Sequence, residues 1–297
     1  MSRLRFFLVF CVCGLFWAVL GALIGLIFRH PLGGFICGLL FGIAYIVSTS
    51  MAADKFPGDV WEAKLLENIN APNLYEMLHT LCDRTGLALP TLYYIPRPEP
   101  NAFVTAGREG ETSVIVTNGL TRSLEKDEVQ AVLALMMARL ATGTMPHWTV
   151  AATLAGVPLQ AGLSLQRREG LSWLGTAILT IFAYPGSVLT RLAWDEGTIT
   201  AADYHAAHLT EQAGALKRAL AKIEAGLTEE GAAAGNPATA LLFAVPPLLP
   251  LTPGAVLWRQ GLETFPFRRP DASVRAERFA DVVYSYVPEP AEEFFNS

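Results

Sequence analysis

The chain has 297 residues, of which 52% are hydrophobic and only 16% are charged, and its mean hydropathy is +0.35. A soluble domain carries roughly 25% charged residues, so this composition predicts a membrane protein with a folded polar portion. The formal charge of −5, without any lysine- or arginine-rich block, argues against a nucleic-acid partner. The four cysteines lie in apolar or helical stretches without zinc-ligand spacing, which disfavours a disulfide framework and a cysteine metal site.

Two uncharged runs open the chain, Phe6 to Phe28 and Pro31 to Ala53. Each is long enough to cross a hydrocarbon core of about 30 Å, and the short turn between them predicts a transmembrane hairpin. Glycines recur at four-residue spacing on one face of each run, where they either seat a partner helix or let the hairpin pack on itself. We favour packing of the hairpin on itself. These glycines are Gly21 and Gly25, then Gly34, Gly38 and Gly42.

A second apolar pair follows later, His147 to Leu165 and Leu171 to Leu189, with a proline inside each run. Both runs are shorter and milder than the first pair, so they fit either spanning helices or helices half-sunk in the membrane interface. By the positive-inside rule Arg3 and Arg5 favour a cytoplasmic N-terminus, but Arg167 and Arg168 then fall in a loop on the far side, so the charges determine the topology weakly.

The polar stretches predict a mixed α and β structure. An Asn118–Gly119 turn should close the second strand, and Ser123 is the expected N-cap of the helix after it. The predicted elements are a helix at Asn73–Thr85, strands at Thr91–Ile95 and Glu111–Thr117, a helix from Ser123 to about Thr142, and a helix near Ala201–Ala225.

Several short motifs occur along the chain in a fixed order: Leu74–Met77, Gly86–Leu87, Tyr94–Pro96, Glu99–Phe103, Asn118–Leu120, Glu128–Ala134 and Asn236–Phe243. Together they resemble the HtpX-like integral-membrane zinc metallopeptidases. The resemblance implies an α+β, gluzincin-like peptidase domain interrupted by and fused to two transmembrane helical hairpins. The implied division is a hairpin at 1–53, a first half-domain at 54–146, a second hairpin at 147–192, and a second half-domain with an acidic tail at 193–297.

The zinc site that the resemblance implies is missing from the sequence. The family's first histidine, general-base glutamate and second histidine fall on Leu135, Met136 and Arg139, and its distant glutamate ligand falls on Ile199. Aliphatic carbons have no lone pair for zinc and arginine stays protonated. We therefore expect no catalytic residue, no metal and no other cofactor at these positions. The three apolar side chains should instead fill the space, each contributing about 1.5–3 kcal/mol on burial.

Arg139 has two interpretations. It pairs with Asp203 or Glu196, replacing a metal crosslink by an ion pair, or it extends towards solvent or lipid headgroups. His205 and His208 are three residues apart and either form an ordinary polar helix face or offer a pair of metal ligands.

The sequence therefore predicts a catalytically inactive, HtpX-like membrane protein that binds, scaffolds or regulates other proteins. The family resemblance implies that an edge strand near Pro100, Asn101, Ala102 and Phe103 pairs with an extended peptide, which needs no zinc. The expected partners are membrane lipids and another membrane protein or client, in a bacterial inner membrane with the polar domain cytoplasmic. One alternative is an active hydrolase with an unrecognised site or an unusual metal. Another, a decayed gene product, fits poorly with the intact motifs.

Overall fold

The computed structural model describes residues 3–53, 55–107, 110–193, 196–211, 213–227, 236–247 and 256–260. The mixture of helices with a small sheet confirms the predicted α+β class. The helices are α1 Arg3–Ile27, α2 Pro31–Met51, α3 Phe56–Val60, α4 Pro72–Thr85, α5 Asn118–Ser123, α6 Lys126–Ala141, α7 Met145–Gln166, α8 Ser172–Ala193, α9 Glu196–Thr210 and α10 Ala213–Ala225. The strands are β1 Lys64–Leu65, β2 Thr91–Ile95, β3 Ala102–Ala106 and β4 Thr112–Thr117, and two 3₁₀ helices lie at Asn68–Asn70 and Pro237–Leu242.

The sheet is mixed, with strand order β1-β2-β4-β3. β2 runs parallel to β4, whereas β3 and β4 form an antiparallel pair in which Phe103 faces Ile115. Every residue of β3 is buried, because α6 and α7 both pack against it. This arrangement sets α6 beside a strand that ends the sheet, which is the frame of the candidate site.

The helices α1, α2, α7 and α8 are each long and apolar enough to cross a membrane. They differ in how much protein surrounds them. In α7, 61% of the apolar stretch is buried inside the protein, whereas in α2 only 17% is. Surrounding protein explains why the second pair tolerates polar residues that a lipid-facing helix would not carry. The second pair thus has the length needed to span.

The glycines of the first hairpin bring α1 and α2 into backbone contact. A Cβ atom on Gly21 would lie 2.3 Å from the carbonyl oxygen of Gly34 and 2.8 Å from Cα of Gly38. A Cβ on Gly25 would lie 2.7 Å from the carbonyl oxygen of His30. Only hydrogen fits at such distances, so these glycines pack the hairpin on itself, as favoured from the sequence.

A tyrosine of α2 compensates for the proline inside α7. Pro158 has no N–H, so the Leu154 carbonyl four residues earlier has no main-chain donor in its own helix. The Tyr45 hydroxyl donates a hydrogen bond to that oxygen at 2.6 Å. This bond links the first hairpin to the second. It also pairs a carbonyl that would cost free energy if it were left without a donor in the hydrocarbon region.

Replacing Tyr45 with phenylalanine should lower the free energy of unfolding by about 1 kcal/mol, because the Leu154 carbonyl loses its donor. In a Pro158→Ala background the residue 158 N–H becomes available to that carbonyl, so the loss should be smaller. Unfolding of the four proteins in one detergent gives the double-mutant cycle. Equal losses in the two backgrounds would contradict the pairing.

The predicted helix near Ala201–Ala225 is wrong as a single element. The chain breaks at Glu211, whose φ of 55° lies in the left-handed region, and the next helix starts at Ala213. Arg84 of α4 donates to the Leu209 carbonyl at the end of α9. This contact supplies a donor to a carbonyl at the end of α9. The local periodicity of the sequence gives no sign of it and predicts that the helix continues.

Two local predictions around β4 are also wrong. Asn118–Gly119 opens α5 instead of forming a turn, with the Thr117 hydroxyl accepting from the Leu120 amide as the N-cap. Ser123 ends α5, and the N-cap of α6 is Glu125. Gly119 is required for close packing, since a Cβ there would lie 1.9 Å from the Pro98 carbonyl oxygen.

Candidate functional site

The four positions that the family resemblance assigns to zinc chemistry lie inside the protein. Leu135, Met136 and Arg139 are on α6, and Ile199 is on α9, which packs against α6. None of the four is more than 1% exposed. The three apolar side chains belong to the main hydrophobic core, so they contribute burial where the family's enzymes need polar ligands.

Arg139 holds main-chain carbonyls from a distant part of the chain. Its Nη1 donates hydrogen bonds of 2.9 Å to the carbonyl oxygens of Leu242 and Phe243. The side chain is 1% exposed, so the interpretation that it extends towards solvent is wrong. The predicted pair with Asp203 stays a prediction, with Asp203 itself buried on α9. The side chain of Glu196 lies outside the described residues.

The segment that Arg139 holds also lies along the outer edge of β3. Phe243 forms an antiparallel bridge with Phe103, and the Ala244 amide donates to the Ala102 carbonyl at 2.7 Å. The Asn101 side chain grips Val245, with Nδ2 donating to its carbonyl at 2.7 Å and Oδ1 accepting from its amide at 3.4 Å. The chain itself therefore covers the start of this sheet edge, at Ala102 and Phe103.

The predicted peptide-binding residues already have partners within the chain. Pro100, Asn101, Ala102 and Phe103 are all buried, and the last three contact residues 243–245. A client strand would meet the same atoms only after that segment moved away. Nothing in the local sequence reveals this, because the partners are more than a hundred residues apart; the Asn236–Phe243 motif marks the segment without showing where it lies.

Aromatic and polar contacts anchor the rest of the segment. Trp61 donates from Nε1 to the Thr239 hydroxyl at 2.8 Å, and its ring lies 4.9 Å from that of Phe243. The Phe243 ring also lies 4.4 Å from that of Phe103. At the start of the segment, Asn236 Nδ2 donates to the Gly156 carbonyl of α7 at 2.7 Å. The segment thus connects the second hairpin to the sheet edge.

The donor set at the site does not fit zinc. Leu135 and Ile199 offer only carbon, the Met136 thioether is a weak acceptor, and the Arg139 guanidinium carries a positive charge. Among the described residues, no three histidine, cysteine or acidic side chains lie close enough together to hold a metal. His205 and His208 are both exposed on α9, as an ordinary polar helix face would be.

A buried carboxylate fixes the start of α6. Glu128 completes a capping box with Glu125, accepting from its amide at 2.9 Å. It also accepts from Lys222 Nζ at 2.7 Å and Arg218 Nε at 3.3 Å, both on α10. Burial favours a raised pKa, but the bonds from Lys222, the Glu125 amide and Arg218 outweigh it and lower the pKa of Glu128.

Because the pKa of Glu128 is lowered by folding, the free energy of unfolding depends on pH in the acidic range. The ionised form is favoured by folding, so its contribution is full above the ordinary pKa of 4.5 and disappears as the pH falls through the lower folded-state value. We expect the free energy of unfolding to fall below about pH 4.5 less steeply in Glu128→Gln than in the parent. This pH dependence is measured by unfolding the two proteins in detergent between about pH 3 and about pH 7, a range that spans the ordinary pKa of the group. The exposed Glu76→Gln on α4 is the control and should keep the parent slope.

Comparison with known proteins identifies the family. The model of peptidase family M48 matches residues 68–250, which is more than half of the chain. The chain belongs to peptidase family M48. The matched part of this M48 chain includes α6, the second hairpin, α9 and the segment held by Arg139.

Several relatives align with more of the M48 chain than the family model does. The chain is 31% identical over 249 residues to the "Protease HtpX homolog" of Thermococcus kodakarensis, covering 79% of this chain and 85% of the relative. Proteins of the same description from Acaryochloris marina and Syntrophobacter fumaroxidans are 30% and 32% identical, covering 76% and 72% of this chain and 80% and 81% of theirs. No solved structure matches it. The HtpX-like resemblance is confirmed, and with its apolar helices the M48 chain is an integral membrane protein.

Proposed function

We propose that this M48 chain is a catalytically inactive, HtpX-like membrane protein that binds or regulates other proteins. The observation that carries the proposal is the state of the zinc positions: three are filled by buried apolar side chains, and Arg139 holds the main-chain oxygens of Leu242 and Phe243. A metallopeptidase needs three metal ligands and a general base there. This set supplies neither.

What the fold retains is suited to holding a protein. The edge of β3 carries main-chain donors and acceptors with which an added strand can pair once residues 243–245 move away, and such pairing depends on no metal. Around the first hairpin, large apolar side chains are exposed and suit lipid contact. Examples are Phe7, Leu23, Ile27, Leu32 and Leu40. We propose that the membrane is a bacterial inner membrane and that the polar portion lies in the cytoplasm. Arg3 and Arg5 support that orientation, whereas Arg167 and Arg168 then lie in a loop on the far side.

An unfolded model client tests the proposal. The full chain, purified in detergent, is incubated with casein under conditions in which the Thermococcus kodakarensis relative is run in parallel as the assay control. We expect the chain to retain casein on an affinity matrix without producing fragments. Fragments whose appearance is blocked by a chelator would contradict inactivity, and fragments insensitive to chelator would favour the alternative of a hydrolase with an unrecognised site. Failure to retain casein would contradict the binding role.

A further inference from the structure

A long groove follows one side of the seam between α1 and α2. It has a volume of about 410 Å³ and largely apolar walls, with Trp17 and Phe41 at its inner end and Phe28 and His30 at its outer end. The glycines that bring the two helices together also line it, so part of its floor is bare backbone. The volume lies within the range of sites that hold a small ligand.

The groove occupies one half of the membrane, on the side away from the polar portion. At the other end of α1, the Phe6 ring lies 4.3 Å from that of His147, at the start of α7, which packs against β3. From Trp17 to Phe28 the rise of α1 is about 17 Å, roughly half of a hydrocarbon core of about 30 Å. The outer end of the groove therefore meets the membrane surface at the turn of the hairpin, and the inner end lies near the middle of the bilayer.

Aromatic rings close the inner end of the groove. The Trp17 ring lies 4.7 Å from that of Phe41 and 5.4 Å from that of Phe182 on α8. At this level the first hairpin meets the second. An occupant that enters from the membrane surface can thus extend through about one leaflet and no further.

The width of the groove suits a single hydrocarbon chain and not a helix. A volume of about 410 Å³ over a length of about 17 Å gives a mean cross-section of about 24 Å². An α-helix with its side chains is about 10 Å across, which is a cross-section of about 80 Å². A partner helix would rest on the rim and leave the space below it without packing contacts, at a cost in dispersion energy. One acyl chain of a lipid lies along the whole length.

A cation stands at the open end of the groove. His30 lines the outer end and Arg29 precedes it in the turn, and both side chains are exposed. The turn is held by the His30 amide, which donates to the Gly25 carbonyl at 2.8 Å, and Arg29 has a left-handed backbone with a φ of 60°. No aspartate or glutamate occurs in the sequence before Asp54. A guanidinium at the membrane surface attracts an anionic headgroup and donates to its phosphate oxygens.

We propose that this groove binds one anionic phospholipid, with an acyl chain lying against Trp17, Phe41 and the glycine backbone and the phosphate bound at the turn by Arg29 and His30. Depth, width and charge each select the same occupant: one leaflet deep, one chain wide and anionic at the membrane surface. The groove exists only where α1 and α2 are packed together, so the lipid binds the folded hairpin and stabilises it. This lipid site goes beyond the proposed protein-binding function and does not depend on it.

Lipid retention measures the site directly. The full chain is purified in detergent, stripped of lipid and titrated with phosphatidylglycerol, and native mass spectrometry counts the lipids bound. We expect a single tight site per chain. Cys37→Trp places a large side chain in the groove and should weaken this binding by at least about tenfold, because the acyl chain loses its buried surface. Cys11→Trp is the matched control: Cys11 is also exposed on this hairpin but does not line the groove, so this variant should bind as the parent does.

A neutral headgroup on the same acyl chains tests the charge at the turn. We expect the parent to bind phosphatidylglycerol about fivefold more tightly than phosphatidylcholine, the ratio for one cation beside an anionic headgroup. Asparagine tolerates the left-handed backbone of residue 29, and Arg29→Asn should lower the ratio to less than about twofold. Arg167→Asn, in the loop of the second hairpin, is the control and should leave the ratio unchanged.

Fluorescence quenching tests the unaltered chain. One equivalent of phosphatidylglycerol is added with bromine either near the end of its acyl chain or near its headgroup. Bromine near the chain end should quench more strongly, because Trp17 lies at the inner end of the groove, and the difference should disappear in Trp17→Phe.

The lipid site is overturned by any of three results. The first is binding of phosphatidylglycerol by Cys37→Trp that is as tight as binding by Cys11→Trp. The second is equal affinity of the parent for the two headgroups, or an equal loss of preference in Arg29→Asn and Arg167→Asn. The third is equal quenching by the two brominated lipids, which is read without any change to the groove.

Discussion

Replacing Arg139 with methionine should lower the free energy of unfolding by about 3 kcal/mol, one of the largest single-residue effects that we expect in this protein. The guanidinium holds two buried carbonyl oxygens, those of Leu242 and Phe243. Methionine keeps much of the apolar volume but offers no donor, so each carbonyl loses its hydrogen bond from residue 139. Each loss costs roughly 1–3 kcal/mol, and relaxation of the segment lowers the total cost. Denaturant unfolding in detergent gives the energy, and hydrogen exchange at Ala244 should rise with it.

The matched control for this substitution is Arg122→Met on α5, an exposed arginine whose replacement should change stability by less than about 0.5 kcal/mol. If Arg139→Met lowers the free energy of unfolding by no more than the control does, the two hydrogen bonds from Arg139 do not stabilise the fold as proposed. The same proteins test the predicted pair with Asp203: if the pair exists, Asp203→Asn should cost less in the Arg139→Met background than alone.

Replacing Gly38 with leucine should disrupt the first hairpin, at a cost of roughly 3 kcal/mol or more. A Cβ at Gly38 would lie 2.3 Å from the Trp17 carbonyl oxygen and 3.0 Å from Cα of Gly21. Both obstacles are backbone, so no rotamer change relieves them and α1 must move away from α2. Accumulation in the membrane and the midpoint of unfolding in detergent should both fall.

Gly33→Leu provides the control on the same helix. Gly33 is exposed, and the nearest atom to a Cβ there is 3.9 Å away, in the His30 side chain. The added side chain faces open space, so accumulation and stability should remain near those of the parent. Equal behaviour of the two leucine variants would show that contact between α1 and α2 through glycine does not hold the hairpin.

The features that could be predicted from the sequence are those set by local pattern. Uncharged runs of more than twenty residues reveal α1 and α2 because length and apolarity alone decide whether a helix can span. α6 follows from periodicity and from its acidic first turn. The assignment of the family's zinc positions to Leu135, Met136, Arg139 and Ile199 follows from the register of the motifs and stays a prediction.

The features that escaped prediction depend on partners distant in sequence. Glu211 adopts a left-handed conformation between two helices that local periodicity would join, with Arg84 bonded to the end of the first. The contacts of Phe243–Val245 with β3 and with Arg139 join positions more than a hundred residues apart. No local pattern encodes such pairs. The division at 54–146 and 193–297 stays a prediction, and these contacts tie the two stretches together.

We expect the M48 site of this chain to bind no zinc. The test is elemental analysis of the full chain, purified without chelator and dialysed with zinc before free metal is removed, with the Thermococcus kodakarensis relative treated in the same way. We predict zinc at the level of the buffer blank, because carbon, a thioether and a guanidinium form no zinc site. One zinc per chain, lost on Arg139→Met or Ile199→Ala but kept in Arg122→Met, would contradict the claim.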